Sequence, residues 1–180
     1  MSIARRIAPK VRPATSSDAP AISGIYAHYV RNSSVTFEVD PPDYAEIERR
    51  MADVHARGLP YLVAEVESAV IGYAYAVPYR PRPAYRFTVE DSIYLHPSHT
   101  GRGTGRLLLS ALLDACEQWG ARQMVAVIGG SDNLASVAMH EKLGFRHVGV
   151  LQSVGFKFNR WHDSVLMQRE LACGGWTLPE

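Results

Sequence analysis

The sequence predicts a mixed α/β domain in which a mixed sheet carries helices on its faces. Apolar residues at positions 107–116 recur at helical spacing directly after a glycine-rich loop, which predicts a helix there. Residues 124–128 form an uninterrupted apolar run, typical of a strand covered on both faces, and this predicts a parallel central pair. β-rich runs at 61–66 and 70–77 flank a short polar turn, the pattern of an antiparallel hairpin.

Length and composition indicate a single domain. The chain has 180 residues, 47% of them apolar, which is enough for one sizeable core. We expect one domain over residues 1–172 and a C-terminal tail at 173–180. The formal net charge is +1, so no global field favours nucleic acid or an anionic membrane, and neither is expected as a partner.

The cysteines and the lengths of the apolar runs predict a cytoplasmic protein. Cys116 falls on the apolar stripe of a predicted helix and Cys173 falls in the tail, so we expect no disulfide and a reducing compartment. No apolar run approaches the roughly 20 residues that span a bilayer, and the N-terminus lacks the residue order of a secretory signal.

The N-terminal third is predicted to begin with a strand and a helix. Residues 7–12 have the pattern of a partly buried strand. Ser17 and Asp18 then precede Pro20 and an apolar stripe. This order predicts a capped helix with proline in its first turn, which ends near residues 32–34.

A second helix is predicted after an irregular crossing. Residues 35–39 are expected to be extended, and two prolines follow them. Asp43 can cap a helix that runs to about residue 57 and stops at Gly58. Its expected apolar face consists of Tyr44, Ile47, Met51 and Val54.

The rest of the chain alternates between strands and helices. After the hairpin we predict a proline-rich loop at 78–83, a strand at 85–95, a helix from the glycine loop to about 120, a strand at 124–128, a short helix at 134–143, and strands at 145–154 and 164–171 separated by the segment 155–163. The predicted order is therefore β-α-α-β-β-β-α-β-α-β-β.

The glycine loop has the composition of an anion site. Glycines lack the Cβ atom that keeps a ligand from the backbone, and the first N–H groups of a helix have no intrahelical partners. The loop places Gly101, Gly103 and Gly105 before the helix, with Arg102 and Arg106 beside them. The alternative is a strand-to-helix turn that binds nothing.

Four stretches, in order, resemble the GCN5-related N-acetyltransferase superfamily. They are Glu90-Asp-Ser-Ile-Tyr-Leu95, Thr100-Gly-Arg-Gly-Thr-Gly105, Asn133 with Ala135, and Glu141-Lys-Leu-Gly-Phe145. The resemblance covers nearly the whole chain. It implies a central, mostly antiparallel sheet with a splayed parallel strand pair and helices on both faces. Residues 85–94, 124–128 and 155–163 further resemble the branch that acetylates phosphinothricin, methionine sulfone and methionine sulfoximine.

The resemblance implies acetyl-CoA as co-substrate and a particular set of contacts to it. The backbone of Ile93, Tyr94 and Leu95 is expected to pair with the pantetheine arm. The loop residues expected to hold the pyrophosphate are Gly101, Arg102, Gly103, Thr104, Gly105 and Arg106. Asn133 is expected to contact CoA and to cap the helix that it precedes. The resemblance also implies a homodimer with its interface near the substrate site.

Two positions depart from the superfamily pattern. Thr100 stands where the loop usually begins with Arg or Gln, so one side-chain contact is lost while the backbone amides stay. The superfamily usually has, at the position of His140, the Tyr that protonates the departing CoA thiolate. The narrower branch resembles this chain in having His there. We expect His140 to be either that proton donor or a surface or satisfied core histidine.

Glu90 is the predicted general base. It lies at the start of the strand beside the expected substrate loop, where a partly desolvated carboxylate can accept an ammonium proton through water. The alternative is a solvated glutamate at a strand end. Asp91 is expected to point to the opposite face of the strand.

Arginines crowd the proline-rich loop before Glu90. A forked guanidinium can bind a carboxylate or phosphinate in two places, so these residues suit an acceptor with both an amine and an acid. The predicted substrate contacts are Arg80, Arg82, Tyr85, Arg86, Ser92 and Lys157. For each of the three arginines, the alternative is a solvated side chain on the loop.

Other chemistries fit the sequence less well. His96 and His99 bracket a loop, and no Cys or carboxylate recurs at ligand spacing, so no metal is expected. The glycines follow Gly-x-Gly-x-Gly rather than Gly-x-Gly-x-x-Gly, and no acidic residue closes a following βα unit, which argues against a dinucleotide-binding oxidoreductase. A peptide acetyltransferase or a non-catalytic CoA-binding sensor of the same fold stays open.

Overall fold

Helices and strands follow one another in the order that the sequence predicts. The computed structural model describes residues 7–178. The strands are β1 (Lys10–Pro13), β2 (Tyr61–Val66), β3 (Ala69–Pro78), β4 (Thr88–Leu95), β5 (Gln123–Gly129), β6 (Arg146–Lys157) and β7 (Arg160–Glu170). The helices are α1 (Ala19–Asn32), α2 (Tyr44–Ala56), α3 (Thr104–Trp119) and α4 (Leu134–Lys142).

The described strands form one mixed sheet with a single parallel pair. Their order is β1-β2-β3-β4-β5-β7-β6. β4 and β5 run parallel, and the other neighbours are antiparallel. The parallel pairing extends only from Thr88 opposite Gln123 to Asp91 opposite Ala126. Beyond that point β4 stays with β3 and β5 stays with β7, so the expected splayed pair is confirmed.

Helices cover both faces of the sheet, as predicted. Adjacent residues of a strand point to opposite faces. On β3, Tyr73 faces α1, because its ring and that of Tyr26 both pack against Tyr94, whereas a Cβ added to Gly72 would lie 3.2 Å from Leu108 of α3. We refer to these as the α1–α2 face and the α3 face.

Local signals explain most helix ends. Asp43 accepts a hydrogen bond from the Glu46 amide at 2.8 Å and so caps α2, as predicted. Tyr44 is the first residue of α2 and is 61% exposed, so its expected place on the apolar face was wrong. The predicted extended segment 35–39 is irregular, and Tyr85 lies in a 3-10 turn before β4.

The last two strands are longer than the sequence suggested. Residues 155–163, expected to separate them, instead form the tip of a hairpin whose turn is at Phe158 and Asn159, with φ of 52° and 58°. Gly155 is the misleading signal. A Cβ there would lie 2.4 Å from the Phe37 ring, so this glycine permits a close approach within β6 rather than a loop.

The α3 face of the core is built around one leucine-rich helix. Leu108, Leu109, Leu112 and Leu113 are buried, together with Cys116. Burial raises the pKa of the Cys116 thiol to about 12, with smaller contributions from nearby carboxylates, so it is a core residue rather than a nucleophile.

Residues 172–178 form turns without helix or strand. They stay near the domain because Arg122 donates to the Thr177 hydroxyl at 3.1 Å. Among residues 7–178, none of the helices has the length and apolar character needed to cross a membrane.

Replacement of Leu112 tests the dependence of the domain on this helix. Leu112 has no solvent exposure, so we expect Leu112→Ala to lower the free energy of unfolding by about 2–5 kcal/mol, measured by urea denaturation. Leu107 on the same helix is 41% exposed, and Leu107→Ala is expected to cost less than about 1 kcal/mol. Equal losses in the two variants would contradict the burial described here.

Candidate active site

The separation of β4 from β5 opens a cavity of about 610 Å³, which we call the β4–β5 cavity. Of the cofactor contacts predicted from the sequence, those along its walls are Ile93, Tyr94, Leu95, Gly101, Gly103, Gly105, Arg106 and Asn133. Arg102 is exposed on the same loop, and Thr104 is buried at the first position of α3. The fold thus gathers residues more than 30 positions apart in sequence around one space.

The backbone of β4 is open toward this cavity. Residues 93–95 pair with β3 on one side, while strand pairing on the β5 side ends at Asp91. The Tyr29 hydroxyl donates to the Leu95 carbonyl at 2.7 Å and holds the end of β4 against α1. An extended ligand with amide groups can therefore pair with this edge as a further strand would.

The glycine loop presents backbone N–H groups at the mouth of the cavity. Gly101 and Gly103 have φ of 70° and 86°, a region that other residues enter at a cost. Gly103 is the N-cap of α3 and has no side chain that could accept a hydrogen bond from the first amides of the helix. These amides therefore lack a side-chain cap. The Thr100 hydroxyl donates to the Pro97 carbonyl at 3.1 Å, which closes the preceding turn where the superfamily has Arg or Gln.

Asn133 caps α4, as expected, and lies at the wall of the β4–β5 cavity, where its contact with CoA stays a prediction. Its side chain accepts a hydrogen bond from the Ser136 amide at 3.3 Å and caps the helix, and it lines the β4–β5 cavity. The two roles are compatible because the cap uses one acceptor of an amide that has further hydrogen-bonding groups.

Asp91 and His140 meet at the closed end of the cavity. Asp91 points to the α3 face, as alternation predicts, and its Oδ2 lies 3.1 Å from His140 Nε2. Both side chains are 2% exposed. Burial alone lowers the pKa of His140, but the hydrogen bond and charge of Asp91, with the Ser136 carbonyl, raise it overall. No local pattern in the sequence signals this contact, which joins residues 49 positions apart.

Glu90 lies on the opposite face of β4. Alternation places it with Ser92 and Tyr94 on the α1–α2 face. Burial raises the pKa of its carboxyl group, the charge of Asp91 adds to the effect, and Arg80 opposes it. Such a carboxylate is a stronger base than a solvated glutamate, because desolvation disfavours its charged form.

A second cavity lies on the α1–α2 face near Glu90. It has a volume of about 580 Å³, and we call it the tyrosine pocket. Tyr61, Tyr73 and Tyr75 line it, and the rings of Tyr61 and Tyr75 stack at 4.8 Å. Burial raises the pKa of each of the three phenols, so their hydroxyls are neutral donors. The Ser92 side chain lies next to Tyr75.

Sequence reasoning missed this pocket, although a signal was available. Tyr73 and Tyr75 are two apart on β3 and therefore share a face. Tyr61 is directly opposite Tyr75 on the paired strand β2. The hairpin prediction alone would have brought the three rings together.

The proline-rich loop before β4 reaches the tyrosine pocket through one of its three arginines. Arg80 lines the pocket and stacks on Tyr79, with 4.9 Å from its guanidinium carbon to the ring centre. Arg86 is exposed over the Phe87 ring, and Arg82 and Tyr85 are also exposed on the loop. All four side chains are exposed, and among them Arg80 lines the pocket on the face of Glu90.

Lys157 is part of the scaffold between β6 and the α1–α2 crossing. Its Nζ donates to the carbonyls of Ser33 and Thr36, each at 2.8 Å. Burial lowers the pKa of this amine, which the charge of Glu38 partly offsets. Lys157 lines neither the β4–β5 cavity nor the tyrosine pocket, so its contacts in this structure are structural and its substrate contact stays a prediction.

In the described part of the chain, metal-binding groups do not gather near either cavity. Within residues 7–178 there is no group of three or more His, Cys, Asp or Glu side chains placed to hold a metal ion. Asp91 and His140 alone supply fewer ligands than a structural or catalytic zinc site takes.

Known proteins with similar sequences share most of this chain. A protein of Alcaligenes faecalis named phosphinothricin N-acetyltransferase is 53% identical over 175 residues, which cover 97% of this chain and 89% of that protein. A Salmonella typhimurium protein named L-methionine sulfoximine/L-methionine sulfone acetyltransferase is 40% identical over 164 residues, 89% of this chain and 94% of that protein.

A solved structure and a family model agree with the fold. The crystal structure of a phosphinothricin acetyltransferase from Sinorhizobium meliloti, in complex with acetyl-CoA, matches with a TM-score of 0.92 and 45% identity, covering 96% of this chain and 93% of that one. The model of the Acetyltransferase (GNAT) family matches residues 22–145. The chain therefore belongs to the GNAT family of acetyltransferases.

Proposed function

We propose that this protein transfers the acetyl group of acetyl-CoA to the amine of a small amino-acid-like acceptor of the phosphinothricin, methionine sulfone or methionine sulfoximine type. The observation that carries the proposal is the position of β4. Its open edge borders the β4–β5 cavity along residues 91–95, and its α1–α2 face carries Glu90, which is paired with Val77 of the tyrosine pocket. The names of the relatives at 53% and 40% identity support this acceptor class.

Acetyl-CoA suits the β4–β5 cavity for three reasons. The open edge of β4 at residues 93–95 matches the amides of a pantetheine arm. The glycine loop and the uncapped N-terminus of α3 offer N–H groups to a pyrophosphate. Arg106 adds positive charge beside them. Binding there delivers an acetyl thioester to the closed end of the cavity, between β4 and α4.

Glu90 is the proposed general base. The acceptor reaches the enzyme mainly as an ammonium ion and must lose a proton before its nitrogen can attack the thioester carbonyl. A half-buried carboxylate with a raised pKa is suited to accept that proton, directly or through one water. Its charge also attracts the ammonium group before the transfer.

Arg80 is the proposed partner of the acceptor's acidic group. It lies at the tyrosine pocket, and its charge acts on Glu90. An acceptor with an amine at Glu90 and an acid at Arg80 is bound at both ends, which orients the amine. The pocket volume of about 580 Å³ favours a small acceptor over a peptide. Ser92 and the neutral tyrosine hydroxyls can donate to acceptor oxygens.

His140 is the proposed source of the proton that the CoA thiolate takes up. It borders the β4–β5 cavity at the closed end, and the charge and hydrogen bond of Asp91, which raise its pKa despite burial, favour its protonated form. Reaction is by direct attack within a ternary complex, because the β4–β5 cavity also reaches Ser92 and Tyr94 on the α1–α2 face, so an acceptor on that face can meet the thioester at the open edge of β4.

We also propose that the protein is a homodimer joined through β6. This strand is an edge of the sheet, and unpaired edges invite pairing with another chain. The exposed large apolar residues of its hairpin with β7 are Val148, Val150, Leu151, Val154, Phe156, Phe158 and Trp161. A patch of this kind is typical of an interface, and a second copy of the chain is the partner that the family resemblance implies.

Glu90→Gln tests the proposed reaction. With acetyl-CoA, CoA release measured with a thiol reagent is expected on adding phosphinothricin or methionine sulfone, and not on adding peptides. Glu90→Gln should lower kcat by about 100-fold and leave acetyl-CoA affinity unchanged. Since the pKa of Glu90 is raised, the wild-type rate should rise with pH through a range above the ordinary glutamate value of about 4.3.

The matched control is Glu65→Gln. Glu65 is a partly buried strand carboxylate paired with Arg12 at 2.8 Å, near the β1 edge of the sheet. This variant should keep the wild-type rate and its pH dependence. A wild-type rate in Glu90→Gln would remove Glu90 as base, and turnover with peptides alone would replace the proposed acceptor class.

Gly103→Ala tests the proposed role of the glycine loop in binding the pyrophosphate. An alanine at φ of 86° is strained although nothing lies within 4 Å of its Cβ, and relief of that strain turns the first amides of α3. We expect acetyl-CoA affinity, measured by calorimetry, to fall about fivefold or more, which corresponds to about 1 kcal/mol. Gly120 caps the other end of α3 with φ of 102° and similar open space. Gly120→Ala should destabilise the fold equally and leave the affinity unchanged; equal affinity losses would contradict the assignment.

Val150→Glu tests the dimer. Val150 is 47% exposed on β6, and a buried, unpaired carboxylate at an interface is costly. Light scattering should give twice the chain mass for the wild type and the single-chain mass for Val150→Glu at the same concentration. Leu107→Glu, on the exposed side of α3, is the control and should stay dimeric. A monomeric wild-type protein would exclude the proposal.

A further inference from the structure

The Asp91 carboxylate is a buried charge that the proposed roles of Glu90 and His140 do not explain. It is 2% exposed at the closed end of the β4–β5 cavity, and its Oδ2 lies 3.1 Å from His140 Nε2. Buried carboxylates are costly unless they are paired. A buried charge beside the proposed thioester position therefore calls for a role in the reaction or in holding a residue that reacts.

The hydrogen bonds of His140 determine where its protons are. Nδ1 lies 2.8 Å from the Ser136 carbonyl oxygen, and a carbonyl can only accept, so Nδ1 carries a proton. Nε2 faces the Asp91 carboxylate, and one further proton lies between them. The pair thus holds a single shared proton, and both nitrogens of the imidazole are engaged.

Asp91 also has an oxygen that no described group satisfies. Within residues 7–178, Oδ1 of Asp91 is the buried side-chain atom that lacks a hydrogen-bond partner. Unsatisfied buried acceptors are rare because each loses its hydration without compensation. This atom belongs to a side chain that borders the β4–β5 cavity, where a hydrogen-bond donor from a bound ligand can reach it.

The surroundings of the pair are mostly apolar. Phe145 packs edge-on against the His140 ring, with 4.9 Å between ring centres. The other ionisable groups near the pair are Cys116 from α3, Glu90 from the opposite face of β4, and Arg106 and Lys142 along the cavity. Without the carboxylate, a histidine buried in this way would be neutral, and it would have no second proton to give.

We propose that Asp91 is a positioning residue that keeps His140 protonated on both nitrogens, and that the proton shared by the pair is the one taken up by the CoA thiolate. This inference rests on the proposed function. As the thioester C–S bond breaks, sulfur keeps the electron pair and forms an S–H bond with the shared proton. The pair is left as a neutral imidazole, still bonded to Ser136, beside the Asp91 carboxylate. In that state the Nε2 lone pair of His140 faces the Asp91 carboxylate, which is repulsive. The pair therefore takes up a proton from solvent.

Asp91→Asn tests the role with little change of shape. An asparagine can still hydrogen-bond His140 but supplies no charge to keep it doubly protonated. We expect kcat to fall at least about tenfold with KM for both substrates within about twofold, and the alkaline limb of the kcat profile to move to lower pH. The matched control is Asp18→Asn, because Asp18 is also a buried carboxylate, paired with Arg12 at 2.7 Å far from both cavities. It should lower stability without moving the pH profile.

The protonation state of His140 gives a second readout that needs no variant of Asp91 and no turnover. Nitrogen NMR of the wild-type protein, with the His140 signals assigned from a His140→Gln sample, should show both ring nitrogens protonated near neutral pH. A neutral His140 there would overturn the proposal, as would Asp91→Asn with a wild-type kcat and an unmoved alkaline limb. If the wild-type protein acetylated no acceptor, the proposed function would fail, whereas the NMR result would still report on the pair.

Discussion

The peptide groups of β4 beyond Asp91 have a strand on one side only, and the site depends on this interruption. A sheet interior normally satisfies both edges of each strand, since buried backbone groups without partners are costly. Here β3 holds one edge of β4 as far as Leu95, and Tyr29 fixes the carbonyl at that end. The other edge stays straight and open, so a ligand can bind to a backbone that is already in place.

Alternation along the same strand separates the two halves of the chemistry. Glu90 points to the α1–α2 face and Asp91 to the α3 face, although they are adjacent in sequence. Each carboxylate meets a different environment: Glu90 faces the tyrosine pocket and Arg80, and Asp91 faces a buried histidine. A shift of one residue in the β3–β4 register would exchange these environments, so the pairing of Glu90 with Val77 is part of the site.

Local patterns in the sequence were sufficient to predict the helices, the strands and the glycine loop. They were insufficient to predict contacts between distant segments. Glycines with positive φ, the Asp43 cap and the apolar run of β5 act within a few residues, so a pattern reveals them. The Asp91–His140 contact spans 49 positions, and the bond from Lys157 to Ser33 spans 124. Neither leaves a local signature. Gly155 shows the opposite error, because a glycine that makes room for Phe37 has the same appearance in sequence as a glycine in a loop.

Acetyl transfer to an ammonium releases one proton from nitrogen and consumes one at sulfur, and the groups proposed for these two steps, Glu90 and His140, lie on opposite faces of β4. Had both groups shared a face, the imidazolium would have stood beside the carboxylate base, lowered its pKa and so weakened it as a base. The backbone of β4 keeps them apart while the charge of Asp91 still raises the pKa of Glu90 across it. Asp91 therefore strengthens Glu90 as the proposed base and, on the other face of β4, keeps the proposed acid His140 protonated. In this way one pair of adjacent residues influences both proton transfers.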